Sequence, residues 1–202
     1  MSLWMRTHRP GKVVVFYGTD KTELDQSATL QTTSIEDDNT GILKLDKLQA
    51  NTRYYYRVED HQLSGSFRTL PHADDFRNAT GNPEGLFNFK FEFACGNNQR
   101  GGGDSAGPTL PVFDTLNRQV RDEIHFAILN GDWLYEDQRA YPASEWLHQV
   151  GIDSLGQAPD IVQKAPTVVG VWENYKIYLE RGRNLSEWHR HVPSFYTADD
   201  HE

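Results

Sequence analysis

Cysteine is almost absent from this chain: Cys95 is its one thiol, so no disulfide can close within it. A lone cysteine of this kind is ordinarily a small buried hydrophobe. Long apolar runs are missing too. None approaches the roughly 20 residues of a membrane-spanning helix, and none has the layout of a signal peptide. Met1-Ser2-Leu3 is compatible with an added start, which leaves an upstream targeting segment open. Positive charge is scarce, with 20 Lys and Arg against 29 Asp and Glu and a net charge of -9. That balance argues against nucleic acid or an anionic membrane as the main partner. A phosphate-bearing substrate would need local cations, and bound metal is one way to supply them. There is no Gly-x-Ser-x-Gly, so a serine hydrolase has no nucleophile elbow. Arg100-Gly101-Gly102-Gly103-Asp104 lacks the Gly-Lys-Ser/Thr of a phosphate-cradling loop and reads as a plain flexible loop. Neither an internal repeat nor a low-complexity segment occurs.

What is present describes a globular chain. Its 202 residues are 37% hydrophobic, 24% charged and 12% aromatic, enough for one or two domains with a core. Residues 1–70 read as all-β, with strands expected at 12–17, 31–34, 41–45, 54–58 and 65–69. Within them Leu48-Gln-Ala-Asn-Thr52-Arg-Tyr54 resembles the corner of an immunoglobulin-like or fibronectin type III sandwich. There a tyrosine hydroxyl ties back to the backbone, and Tyr54 is the residue chosen for it. Such a sandwich takes about 100 residues, so 70 imply that its first strand is missing. Residues 71–85, broken by Pro and Gly, read as a linker.

From residue 86 the pattern changes to alternating strands and helices, the signature of an α/β layer. Residues 86–94 and 125–129 are the first two expected strands, with a helix starting at Pro111 between them. A short helix is expected at 143–150 and a long helical pattern at 167–192, bent or broken at Gly182. Val168, Val171, Trp172, Tyr175, Tyr178, Leu179, Leu185 and Trp188 form its apolar face, read as core. Residues 194–198 complete the set as a third strand. His189 and His191, two apart near a helix end, read as solvated or capping rather than metal-bound.

Chemistry-bearing residues follow each of the three strands: Cys95-Gly96-Asn97, Asp132-x-x-Tyr135, and Asp199-Asp200-His201-Glu202. An open α/β sheet gathers its strand ends on one edge, where ligands bind. Cys, Asp, Tyr and His together offer thiolate, carboxylate, phenolate and imidazole donors suited to a transition metal, and the carboxylates also suit Ca²⁺ or Mg²⁺. Spacing does not establish that the three turns meet, and Gly131-Asp132 on its own also reads as a surface Asx turn.

The motifs resemble those of the alkaline phosphatase D family, a branch of the calcineurin-like metallophosphoesterases. Ala94-Cys95-Gly96-Asn97 is similar to the family's first motif, where cysteine replaces the aspartate usual elsewhere in the superfamily. Gly131-Asp132-x-x-Tyr135 is similar to the second. Val171 through Pro193 resembles the helix leading to the family's Trp-Asp-Asp-His-Glu block, present here as Ala198-Asp199-Asp200-His201-Glu202, with Ala in place of Trp. Four features in order, the β-rich leader included, span nearly the whole chain.

The resemblance implies a β-sandwich (1–70), a linker (71–85) and the first half of a metallophosphoesterase α/β domain (86–202). It also implies two-metal hydrolysis of a phosphate mono- or diester, with Fe³⁺ held by Cys95, Asp132 and Tyr135 and with Asp132 bridging to Ca²⁺. Asp200 is the favoured ligand of its pair, with Asp199 the second candidate. His201 would contact phosphate or protonate the leaving oxygen, and Asn97 is a weaker phosphate contact. Thiolate and phenolate both lower the charge of trivalent iron. The parent protein would be secreted or periplasmic. The family pattern continues with further strands and ligands, so little or no activity is expected of this chain alone, and its open sheet could self-associate. The competing reading is a non-enzymatic binding or structural module, using the sandwich surface and leaving the metal residues idle.

Overall fold

A computed structural model of the chain describes residues 1–59, 63–72, 74–96, 99, 109–133 and 141–199. The amino-terminal part is built from six antiparallel strands: β1 (Ser2–Arg6), β2 (Val13–Gly18), β3 (Gln26–Leu30), β4 (Thr40–Lys44), β5 (Arg53–Val58) and β6 (Ser64–Arg68). β1 pairs with β4, and the other four form a sheet in the order β3-β2-β5-β6. Val13, Val15 and Tyr17 point inward along β2, as a period of two requires. They meet Tyr54, Phe67 and Leu43 in one core that also takes in Leu3 and Met5 of β1. The two antiparallel pieces therefore share their buried face.

Tyr54 does what the corner motif predicts. Its hydroxyl accepts the backbone N–H of Gln49 at 2.9 Å, five residues upstream, while its ring stacks on Phe67 at 5.5 Å. Two strands differ from expectation here. Residues 31–34 form no strand; the pairing partner of β2 is Gln26–Leu30, a sheet-edge strand with no inward-facing run strong enough to reveal it. Ser2 and Leu3, read with Met1 as compatible with an added start, open a strand that was not expected, β1, whose Ser2 to Arg6 run opposite Lys44 to Thr40.

No helix or strand occurs between β6 and Phe91 among the described residues; Asn82 there holds turns together through its amide on Phe76 O and Leu86 O. The carboxyl-terminal part is a three-stranded parallel sheet, β7 (Phe91–Ala94), β8 (Phe126–Asn130) and β9 (Ser194–Thr197), in that order. Parallel strands need long crossovers. The first holds α1 (Pro111–Gln119); the second holds α2 (Ala143–Val150), α3 (Asp160–Lys164), α4 (Val168–Arg181) and α5 (Arg183–His189). The strand expected over 86–94 shortens to its last four residues because β8 offers a partner only from Phe126, opposite Phe91.

One face of this sheet is covered. Ala94, Ala127 and Leu129 pack on Leu110, Phe113, Leu185, Trp188 and Val192 of α1, α5 and their flanks. The opposite face is aromatic and open. Phe91 and Phe126 stack at 5.5 Å, Phe195 meets Phe126 edge-on at 5.9 Å, and Phe93 and Phe195 are 60% and 62% exposed.

The helix expected over 167–192 breaks at Gly182 into α4 and α5, as anticipated. Its buried stripe differs from the apolar one. α4 buries Val169, Gly170, Glu173, Asn174 and Tyr178, while Val171 and Trp172 are only half-buried and Tyr175 is exposed. Glu173 can be buried because Lys176, one turn on, neutralises it.

The two parts dock through backbone. Arg190 O accepts both the Ser66 N–H at 3.0 Å and the Tyr56 hydroxyl at 3.1 Å, and Ser66 Oγ sits 3.0 Å from His191 Nδ1. A Cβ on Gly65 would lie 2.1 Å from Arg190 O, so only glycine permits this approach.

Candidate functional site

In the parallel register Ala94, Leu129 and Tyr196 lie side by side, so β7, β8 and β9 end on the same edge. The turn after each strand begins one or two residues later. Gly96 N–H donates to Gly131 O at 3.0 Å, joining the Cys95 turn to the Asp132 turn. On the other side Asp199 lies against Gly131, where an added Cβ would meet Asp199 Cβ at 2.5 Å. The glycine at 131 thus makes room for the third turn, and its φ of +69° is a second reason for glycine.

Asp132 follows in the left-handed region as well, at φ +57°. Aspartate enters this region more readily than most residues, yet at a cost. Its Oδ1 is buried with no hydrogen-bond partner among the described residues. A buried carboxylate oxygen normally has a donor or a cation. Cys95 is exposed at the end of its strand, contrary to the ordinary fate of a lone cysteine. Three of the predicted site residues, Cys95, Asp132 and Asp199, therefore come from turns that touch. Asn97, Tyr135, Asp200 and His201 lie outside the described residues. Among the described residues, no three His, Cys, Asp or Glu side chains are grouped as a metal site.

Two polar features near these strands gave no sequence signal. Glu92, on the covered face of β7, is half-buried; desolvation raises its pKa, and its Oε2 has no partner among the described residues. His189 is held between β9 residues. The Tyr196 hydroxyl is 2.5 Å from its Nε2, and its Nδ1 is 3.0 Å from Ser194 Oγ, which donates to Val192 O. Burial pulls His189 down to about 4, so the ring is neutral, accepting from Tyr196 and donating to Ser194. Desolvation raises the Tyr196 phenol, with Tyr175 and Glu92 adding to the shift, although the residue as a whole is 56% exposed. His191 also shifts down, first through burial and then through Arg121, against the pull of Glu187. Neither histidine is simply solvated: each bridges elements.

No family model matches this sequence, and no curated protein matches it. Among solved structures, one described as the structure of PhoD superposes with a TM-score of 0.64 at 18% identity. The match covers 99% of this chain and 36% of that chain, so this chain spans about a third of the solved protein's length. The likeness establishes a shared fold over that part. No helix among the described residues is long and apolar enough to cross a membrane.

Proposed function

We propose that this chain carries the amino-terminal part of a metal-dependent phosphoesterase whose parent protein hydrolyses phosphate mono- or diesters. The observation that carries this reading is Asp132 Oδ1, buried without a donor among the described residues and set between two other acidic or thiol-bearing turns. A fold shared with PhoD supports it, and so do the motifs standing in family order. On this reading Cys95, Asp132, Tyr135 and Asp200, with Asp199 beside them, would hold Fe³⁺ and Ca²⁺. Bound there, such a pair supplies charge for the phosphate oxygens and a water of lowered pKa.

The chain's own contributions are positional. Gly131 keeps the floor between the turns open, and the left-handed Asp132 turn fixes the direction of its carboxylate. Asn97 and His201 would contact phosphate, and His201 would hand a proton to the leaving oxygen. A secreted or periplasmic setting belongs to the same proposal. The binding-module alternative would gain from Cys95 and Asp132 lying far apart, against which the Gly96–Gly131 hydrogen bond counts, or from a broad exposed aromatic patch on the sandwich, where Trp4 is an exposed aromatic.

Calorimetric titration with Mn²⁺ and Ca²⁺ tests this reading on the 202-residue chain. Saturable binding is expected, weakened tenfold or more by Asp132→Asn, with little turnover of bis(p-nitrophenyl) phosphate by the chain alone. Equal affinity in the two proteins would remove Asp132 from the site and the reading with it.

A further inference from the structure

A cleft of about 650 Å³ opens between β1 and the turn at Ile35–Asp37 on one side and α3 and α4 on the other. That is the size of a small-molecule site, typically about 300–1,000 Å³. Among the described residues it shares no lining residue with the strand-end turns. Its walls carry exposed aromatic surface: Trp4 is 57% and Tyr175 44% exposed, and Trp172 is backed by Trp146 at 5.5 Å. Trp4, its indole more than half exposed, lines the same cleft as Trp172 and Tyr175.

The charges select what could fill it. Among the described residues two cations, Arg6 and Lys176, line the cleft against four carboxylates. Both cations are already paired: Arg6 Nε with Asp38 at 2.9 Å, and Lys176 Nζ with Asp38 at 3.3 Å and with Glu173. Glu36 and Asp37 have no ion-pair partner among the described residues and stand exposed at the rim. An anion would meet excess negative charge. A bare metal ion would find no grouped ligands among the described residues. A cation with an apolar skin suits both features, because aromatic faces attract positive charge and the rim carboxylates add to it.

We propose that this cleft binds an organic ammonium ion, with Trp4, Trp172 and Tyr175 around the cation and Glu36 and Asp37 at its edge. The proposal stands independently of the phosphoesterase reading.

The test is titration of the 202-residue chain with choline, followed by tryptophan fluorescence and calorimetry, beside its uncharged isostere 3,3-dimethyl-1-butanol. Saturable choline binding is expected, with the isostere about tenfold weaker or worse. Trp4→Ala, Tyr175→Ala on the opposite wall, and the double variant Glu36→Gln/Asp37→Asn should each weaken choline about tenfold. Circular dichroism checks that each variant keeps the fold, and the two walls give independent readings. No saturable binding, equal binding of the isostere, or choline affinity unchanged in folded variants of both walls would overturn the proposal.

Discussion

At the scale of single residues, glycine and histidine carry the sharpest consequences. Gly131→Ala would place a methyl group 2.5 Å from Asp199 Cβ in a left-handed backbone. The conformational penalty alone is about 1–2 kcal/mol, so a loss of at least about 2 kcal/mol is expected by urea unfolding. A change within about 0.5 kcal/mol would mean that the third turn does not lie where described. His189 makes a second prediction. The unfolded imidazole takes its proton near pH 6.5, whereas the folded one does so at about 4. Between those values the unfolded chain binds more protons, so this stabilisation is complete above pH 6.5 and lost as pH falls toward 4. Its full size is about 3 kcal/mol. Unfolding free energies at pH 7 and pH 5 should therefore differ, and His189→Gln should reduce the slope, leaving the contribution of His191, which shifts the same way, opposed by that of Glu92, whose raised pKa acts in the opposite sense. An unaltered slope in the variant would show that His189 is not the titrating group. Residue-scale chemistry was partly legible beforehand. Tyr54 was, because its spacing from Leu48 identifies a corner; the His189–Tyr196 pairing was not, because seven residues of separation say nothing until α5 packs on β9.

At the scale of elements, Asp38 joins four of them. Its carboxylate accepts from Arg6 on β1 and from Trp146 Nε1 on α2 at 3.0 Å, forms an ion pair with Lys176 on α4, and its backbone caps the short turn before β4. Asp38→Ala would leave Arg6 largely buried without its partner, a change that costs about 3 kcal/mol when a buried pair is broken. Thermal denaturation should show Asp38→Asn, which tolerates the left-handed backbone, to be milder than Asp38→Ala. An alanine variant as stable as the parent would contradict the hub. Elements with strong local signals were readable: the helix from Pro111, the helix at 143–150, and the break at Gly182 all stand where periodicity and punctuation put them. β1 and β3 were not: β1 is defined by its pairing with the distant β4, and β3 is an edge strand with little buried apolar surface. The buried stripe of α4 escaped because apolar periodicity is blind to a carboxylate buried against a lysine.

At the scale of the whole molecule, an antiparallel β part and a parallel α/β part meet at Arg190 and Gly65, and the parallel part keeps one aromatic face open. The change of architecture after residue 85 showed in the sequence as a change of period. The meeting of the strand-end turns did not, because it depends on a register in which Ala94, Leu129 and Tyr196 stand level. On the function proposed above, these turns form part of a metal site centred on Asp132. Iron content and visible absorbance of the purified chain after anaerobic reconstitution with iron and reoxidation, beside Cys95→Ser and Tyr135→Phe, test it most directly. Close to one iron per chain is expected, with a charge-transfer band that Tyr135→Phe abolishes and Cys95→Ser shifts or weakens. A chain that takes up no iron and shows no band, while remaining folded, would contradict it.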